Sequence, residues 1–205
     1  MGCAPSAARG RQVIPSRGKY SWSATATHRV SLDALTEPDR RWMKKALREA
    51  ERAFEAGEVP VGAVVVQHDE SGSDGDSKNG RSAGQSSDGR LVGRGQNRVE
   101  ALDDPTAHAE MLALTAASET LERRRLTDCT LYVTLEPCPM CAGALVQARL
   151  GRLVFGAFDE KAGAASTLYQ IPQDERLNHR VEVTSGLEEE RAAGLLQAFF
   201  QKQRA

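Results

Sequence analysis

The 205-residue chain lacks the features that mark several common classes of protein. No segment comes near the roughly 20 consecutive apolar residues that a membrane-spanning helix needs. A formal net charge of −1 excludes a uniformly basic nucleic-acid coat, so any contact with a nucleic acid has to use a local patch. The chain also has no Walker loop and no Gly-x-Gly-x-x-Gly fingerprint, and nucleotide-cofactor chemistry therefore has no support.

Cysteine is scarce too, with only Cys3, Cys129, Cys138 and Cys141 in the chain. Cys138 and Cys141 have the Cys-x-x-Cys spacing of a metal or redox site, whereas the other two are isolated. This is not the framework of a disulfide-stabilised secreted domain, and it favours a reducing, cytoplasmic location. Cys129 begins an apolar run and is predicted to be a small core residue.

Two segments are predicted to lie outside the folded core. Residues 1–35 form a predicted flexible N-terminal extension, in which five cationic residues precede the first acid, Asp33. This composition is compatible with a disordered tail, a transit peptide, a lipidated segment or an early start codon. Residues 68–89 are rich in Gly, Ser and Asp, and are predicted to be a disordered insertion at the tip of a hairpin, with His68 solvated.

Residues 36–205 are predicted to form one domain in which helices and strands alternate. Thr36 has the character of a helix N-cap, and apolar residues then recur at three- and four-residue spacing as far as Gly57. Helices between strands predict an α/β fold with parallel connections and helices on both faces of the sheet. The predicted strands are 59–67, 91–97, 129–135, 153–158 and 181–184, the later helices are 106–123, 138–149 and 188–204, and 98–105 is a predicted loop.

Two short segments carry the residues with the clearest chemistry. Thr-Ala-His-Ala-Glu contains His108 and Glu110, and Glu-Pro-Cys-Pro-Met-Cys contains Cys138 and Cys141. A catalytic zinc ion has three protein ligands and a fourth position for water, which predicts zinc on the histidine and the two cysteines. Glu110 is then placed to move protons beside that water. A purely structural zinc site is the alternative, but the sequence offers no evident fourth ligand.

The order His-x-Glu followed by Pro-Cys-x-x-Cys is typical of zinc nucleobase deaminases. Over residues 36–204 the chain resembles the bacterial tRNA wobble-adenosine deaminases of the cytidine-deaminase superfamily. The stretches that carry this resemblance are VPVGAVVV (59–66), DPTAHAEMLAL (104–114), TLYVTLEPCPMCAGAL (130–145), GRLVFGAFDEKAGAA (151–165), NHRVEVTSG (178–186) and LLQAFFQKQR (195–204).

The resemblance implies a three-layer α/β/α fold with a five-stranded mixed sheet flanked by helices. It also implies hydrolysis of adenosine to inosine at position 34 of a tRNA, an arginine tRNA in bacterial members, by a homodimer with one zinc per subunit. The implied zinc ligands are His108, Cys138 and Cys141, with Glu110 as the proton shuttle. The implied substrate contacts are Asn97 on the flipped base, Val61, Ala107 and Pro137 around it, and Asp159, Lys161, Phe199 and Phe200 near the anticodon loop.

Two other functions fit the zinc residues. A deaminase of free guanine, cytosine or deoxycytidylate would need the same ligands and the same acid. A catalytically inactive, zinc-stabilised RNA-binding subunit would need the ligands alone, and the presence of Glu110 argues against it. Without the resemblance, Asn97 would be interpreted as a turn residue, and Phe199 and Phe200 as helix packing.

Overall fold

The computed structural model describes residues 36–68 and 88–204 of the chain. The predicted N-terminal extension and residues 69–87 of the predicted insertion lie outside them. None of the described helices is long and apolar enough to cross a membrane. In chain order, the elements are α1 (Glu37–Glu55), β1 (Gly62–Gln67), β2 (Arg90–Gln96), α2 (Val99–Leu102), α3 (Ala109–Thr120), β3 (Cys129–Leu135), α4 (Pro139–Gln147), β4 (Arg152–Ala157), a single 3-10 turn (Ile171–Gln173), β5 (Glu182–Ser185) and α5 (Glu189–Arg204).

Helix α1 begins where the sequence predicts. The Thr36 side chain accepts a hydrogen bond from the backbone N–H of Asp39, and the Asp39 carboxylate accepts one from the backbone N–H of Thr36. This reciprocal capping box satisfies two amide groups at the helix start. The helix then packs tightly on β1, because a Cβ atom at Gly62 would lie only 2.2 Å from the carbonyl oxygen of Ala46.

The five strands form one sheet in the order β2-β1-β3-β4-β5. Strand β1 runs antiparallel to both of its neighbours, while β3, β4 and β5 run parallel to one another. The register pairs Val65 with Gly93 on one side and with Leu131 on the other, and Leu131 in turn pairs with Leu153. The predicted mixed five-stranded sheet is confirmed.

Side chains of β1 alternate between two cores, one on each face of the sheet. Ala63 and Val65 join the core that contains buried residues of α3 and α4. Val64 and Val66 join the core that contains buried residues of α1 and α5. Because a strand points successive side chains to opposite faces, one apolar run fills both cores. The predicted three-layer arrangement, with helices on both faces, is confirmed.

The strand directions gather several chain segments at one edge of the sheet. Strands β2 and β3 both run opposite to β1, and β4 runs parallel to β3. The carboxyl ends of β2, β3 and β4 therefore lie at the same edge as the amino end of β1. Residues that precede β1, and residues that follow the other three strands, meet at this edge. The candidate site is built there.

Several predicted boundaries differ from the structure. The first strand starts at Gly62 and not Val59, because the Val61 amide hydrogen-bonds to the Val59 carbonyl in a turn. The predicted loop 98–105 contains the short helix α2. His68 is half-buried, with its Nε2 atom 3.0 Å from the hydroxyl of Thr130, so the prediction of a solvated side chain is wrong.

Helix α3 also begins later than predicted, at Ala109. The carboxylate of Asp104 accepts hydrogen bonds from both the amide and the hydroxyl of Thr106, which holds the preceding residues in a turn. The extended residue that caps α3 is therefore His108.

Asp39 joins three elements through a buried ionic network. Its carboxylate is 2% exposed and accepts hydrogen bonds of 2.7 Å from the Tyr132 hydroxyl on β3 and 2.7 Å from the Arg152 guanidinium on β4. Burial opposes ionisation of Asp39, but hydrogen bonds from Arg152, from the Thr36 backbone and from Tyr132 outweigh it and lower the pKa of Asp39 from 3.8 to about 2. The ionised carboxylate therefore ties α1 to the sheet.

Asp39→Asn is expected to lower the free energy of unfolding at pH 7 by about 2–3 kcal/mol, because an acid with a depressed folded-state pKa stabilises the fold when ionised. This contribution is complete above about pH 4 and is lost as the pH falls towards about 2, so the deficit should shrink by about half at pH 3. Urea denaturation of Asp39→Asn and of the unaltered protein at pH 7 and pH 3 measures this difference in the free energy of unfolding. Glu55→Gln, an exposed carboxylate on the same helix, should change the free energy of unfolding by less than about 0.5 kcal/mol. A deficit in Asp39→Asn that did not change with pH would contradict this account.

Candidate metal centre

Two helix starts face each other at the sheet edge. His108 is the N-cap residue of α3, and Cys138 is the N-cap residue of α4. Both have extended backbone conformations, with φ of −71° in each case. Cys141 is the third residue of α4, one turn from Cys138, so its side chain lies on the same side of the helix. Proline in the first turn of α4 requires no amide hydrogen bond and is well accommodated there.

The three predicted ligands meet in space. The Nδ1 atom of His108 lies 3.6 Å from the Sγ atom of Cys138 and 3.5 Å from the Sγ atom of Cys141. Zinc bonds of about 2.3 Å to sulfur and about 2.05 Å to nitrogen in a tetrahedron separate such atoms by about 3.6 Å. The donor set and its spacing therefore fit a tetrahedral zinc ion.

The donor group has three members and not four. Its ligand atoms all lie within 4.8 Å of one another, and within residues 36–68 and 88–204 no other His, Cys, Asp or Glu joins them. Structural zinc sites usually have four protein ligands, whereas catalytic sites have three and leave one position for solvent or substrate. The arrangement therefore favours a catalytic metal over a purely structural one.

The electrostatics of the group favour metal binding. A hydrogen bond from Cys141 lowers the pKa of the Cys138 thiol from 9.0 to about 4. Hydrogen bonding with Cys138 raises the pKa of His108, and it also raises the pKa of Cys141. The positive ends of two helices add to the stabilisation of thiolate here. A divalent cation that binds both sulfurs favours the thiolate form of each.

Glu110 is the second residue of α3 and lies beside the ligands. Its side chain is 4% exposed and, with His108 and Cys138, lines a cavity. Burial raises the pKa of Glu110 from 4.5 to about 7. A carboxylate whose pKa is close to neutral can both accept and return a proton under physiological conditions, as general acid–base catalysis requires.

The cavity has a volume of about 680 Å³, within the usual range for a small-molecule site. Every strand end that meets at the sheet edge contributes to its wall. Of the predicted substrate contacts, it is lined by Val61, Asn97, Asp159 and Phe199. Its remaining lining residues are Gly57, Glu58, Val59, Val99, Glu100, Leu135, Glu136, Ala162 and Gln203, besides the metal-site residues named above.

Four other predicted contacts do not line this cavity. Ala107 and Pro137 are buried next to the metal ligands, and the Pro137 carbonyl accepts a hydrogen bond from the backbone of Ala164. Lys161 is exposed, two residues after Asp159. Phe200 is 45% exposed, whereas its neighbour Phe199 is buried against Phe54 of α1, with 6.0 Å between the ring centroids. Roles for these residues on the substrate remain predictions.

Glu136, which the sequence does not distinguish as a functional residue, organises the loop after β4. This carboxylate is 2% exposed and accepts hydrogen bonds from four backbone amides and two hydroxyls between residues 159 and 167. A Cβ atom at Gly163 would lie 2.3 Å from one of its oxygens, so the loop closes around the carboxylate only with glycine there. The one sequence signal was its position two residues before Cys138.

Glu58 is a second buried carboxylate on the cavity wall that the sequence does not distinguish. It is 2% exposed and follows Gly57, whose φ of +81° ends the turn after α1. Its oxygens accept hydrogen bonds from the side chain of Asn97 and from the first turn of α2. An acid just beyond an amphipathic helix has the sequence pattern of a solvated residue, so nothing in the sequence distinguished it.

Comparison with known proteins gives matches over almost all of the described residues. The MafB19-like deaminase family matches residues 37–204. A tRNA-specific adenosine deaminase of Bacillus subtilis is 45% identical over 166 residues, which cover 81% of this chain and 91% of that protein. A solved tRNA:A34 deaminase, which performs A-to-I editing at the wobble position of transfer RNA, is 40% identical with a TM-score of 0.64 and covers 76% of this chain and 99% of its own.

A guanine deaminase from Nitrosomonas europaea is 24% identical with a TM-score of 0.63, over 80% of this chain and 85% of its own, and supports the fold alone. The matches at 40% and 45% identity span nearly the whole of their relatives and include the region of the His-Cys-Cys group. The chain therefore belongs to the tRNA-specific adenosine deaminases, within the MafB19-like deaminase family.

Proposed function

We propose that this chain is a zinc-dependent deaminase that converts adenosine to inosine at wobble position 34 of a tRNA. The observation that carries the proposal is the three-ligand group of His108, Cys138 and Cys141 beside the buried acid Glu110, in a cavity large enough for a base. Membership of the tRNA-specific adenosine deaminases favours adenosine 34 over a free base or nucleotide. The resemblance further suggests an arginine tRNA as the substrate.

Water and adenosine react to give inosine and ammonia, and the protein has to move protons between them. When bound, zinc lowers the pKa of a water ligand to about 7 and so supplies a nucleophile at neutral pH. Glu110 accepts a proton from the attacking water and transfers it to the ring nitrogen. It then takes the remaining proton from the hydroxyl group added to the ring carbon and delivers it to the amine, which leaves as ammonia when the C–N bond breaks. Its burial keeps competing solvent away from these transfers.

The base has to leave the anticodon stack to reach the cavity. Asn97 and Val61 line the cavity and are proposed to contact the flipped base, with Ala107 and Pro137 shaping the wall from behind. Asp159 and Phe199 also line the cavity, and the exposed Lys161 and Phe200 are proposed to meet the anticodon loop outside it. An exposed cation and an aromatic ring are the groups that bind phosphates and unstacked bases.

The resemblance suggests two further properties of this chain. A homodimer is proposed, with each subunit holding one zinc ion and binding one anticodon stem–loop. A cytoplasmic location is proposed as well, because none of the three cysteines that the structure describes, Cys129, Cys138 and Cys141, forms a disulfide.

Glu110→Ala is expected to reduce the conversion of A34 to inosine by about 10²- to 10⁴-fold, the usual contribution of a general acid–base residue. Purified protein with one zinc per chain is incubated with an arginine tRNA that carries A34, and inosine is measured by sequencing the product. Glu119→Gln, an exposed acid on the same helix, should leave the rate unchanged. Unaltered inosine formation in Glu110→Ala would contradict the assigned role. Turnover of free guanine or cytosine without A34 conversion by the unaltered protein would favour the free-base alternative.

Cys138→Ser and Cys141→Ser are each expected to bind less than one zinc per chain, since each replaces a thiolate ligand by a poorer donor. Elemental analysis after dialysis measures the ratio of zinc to protein. Cys129→Ser is the matched control: burial raises the pKa of the Cys129 thiol to about 12, and this cysteine lies outside the donor group. A full complement of zinc in both ligand variants, or a loss of zinc in Cys129→Ser alone, would contradict the proposed coordination.

A further inference from the structure

We propose that Glu58 is a positioning residue that fixes the direction of the Asn97 side-chain amide, and thereby selects the hydrogen-bonding groups that the cavity presents to a base. The identity of that base rests on the proposed function, but the orientation of the amide does not. Glu58 and Asn97 both line the cavity, and they are 2% and 6% exposed.

The hydrogen-bond partners of Glu58 among the described residues are all neutral N–H donors. Its carboxylate accepts hydrogen bonds from the Asn97 amide nitrogen at 3.1 Å, from the Glu100 backbone at 3.3 Å and from the Ala101 backbone at 2.8 Å. The two backbone amides lie in the first turn of α2, where Arg98 makes no side-chain cap. Glu58 therefore caps a helix 42 residues away in sequence and stabilises its position on the cavity wall.

The chemistry of this pair allows only one direction for the Asn97 side chain. Both oxygens of Glu58 act as acceptors, so the nitrogen of the Asn97 amide has to face them. Its Oδ1 atom then points away from Glu58, and no described residue donates a hydrogen bond to that oxygen. The backbone of Asn97 is fixed as well, because its N–H donates to the Val61 carbonyl at 3.0 Å.

The fixed direction decides what a bound base can contact. With its nitrogen held by Glu58, Asn97 offers one oxygen acceptor and one remaining N–H donor. An inverted amide would offer both N–H donors and no acceptor. When the donor and acceptor atoms of a buried polar group are held in one orientation, the site discriminates strongly among bases, since a mismatched base leaves that group unpaired. Glu58 therefore acts on the substrate through Asn97 and touches no reacting atom.

Glu58→Gln tests this role because glutamine can donate from its own amide and so permit the Asn97 amide to invert. Binding is measured without turnover, in zinc-loaded Glu110→Ala protein, by the fluorescence anisotropy of two labelled anticodon stem–loops. One carries adenosine at position 34 and the other carries an abasic residue there. We expect Glu58→Gln to weaken binding of the adenosine RNA by about 5- to 20-fold, the lower part of the range for a buried polar group left unpaired, and to leave binding of the abasic RNA unchanged. Equal weakening for both RNAs, or no change for either, would overturn the proposal.

A swapped pair provides the conservative rescue. Asn97→Asp alone places two carboxylates against each other and should abolish the preference for adenosine over the abasic RNA. Adding Glu58→Gln to Asn97→Asp restores an amide–carboxylate hydrogen bond with the roles exchanged and should recover at least about a third of the preference. Strictly additive losses would contradict the proposed coupling. Glu55→Gln, an exposed acid three residues earlier, is the control and should keep the full preference.

A measurement without RNA separates this inference from the proposed function. Hydrogen exchange of the Asn97 side-chain amide, identified in ¹⁵N spectra by its disappearance in Asn97→Asp, is expected to be slower by about 10-fold or more than in a solvated asparagine. Glu58→Ala should remove that protection while the backbone amides of β1 keep theirs. If the unaltered protein binds both RNAs equally, the proposed function fails while this result still decides the inference. Protection that survives in Glu58→Ala would overturn it.

Discussion

The whole site depends on the placement of β1 between two strands that run in the opposite direction. Because β2 and β3 both end where β1 begins, the helices that follow them start at the same edge of the sheet. Each start contributes part of the donor group, His108 from α3 and Cys138 with Cys141 from α4. Ligands separated by 30 and 33 residues in sequence thus approach to 3.6 and 3.5 Å. The sheet that defines the site is packed on both faces by apolar side chains, and close packing of this kind resists deformation.

Around this edge the protein buries carboxylates and satisfies them with amides. Glu136 holds the loop of residues 159–167 against the metal-ligand segment, and Glu58 holds Asn97 and α2 on the cavity wall. An unpaired buried charge costs several kcal/mol, and multiple hydrogen bonds from N–H groups offset this cost. Each arrangement ties a segment of the cavity wall to a buried carboxylate, so that the site can hold its geometry before substrate arrives.

Local sequence signals predicted most of the architecture. The run Cys129–Leu135 is a strand with the predicted bounds, and Thr36 caps α1 as expected. Both features depend only on residues that are close together in sequence, namely the spacing of apolar side chains and the capping side chain. The His-x-Glu and Cys-x-x-Cys spacings likewise identified residues that the structure brings together. The short helix α2 could not be predicted from its own sequence, since its cap comes from Glu58, far away in the chain. The role of Glu136 could not be predicted for the same reason, because the groups that donate hydrogen bonds to its carboxylate follow 23 to 31 residues later in the chain.

The most direct test of the account is the zinc K-edge X-ray absorption spectrum of the zinc-loaded protein. The geometry of His108, Cys138 and Cys141 predicts two sulfur neighbours at about 2.3 Å and two lighter neighbours at about 2.0–2.1 Å, one of them from the histidine ring. Cys129→Ser should give the same spectrum, and Cys141→Ser should lose a sulfur neighbour. A shell of three or four sulfurs, or one without sulfur, would contradict the three-ligand site on which the proposed chemistry depends.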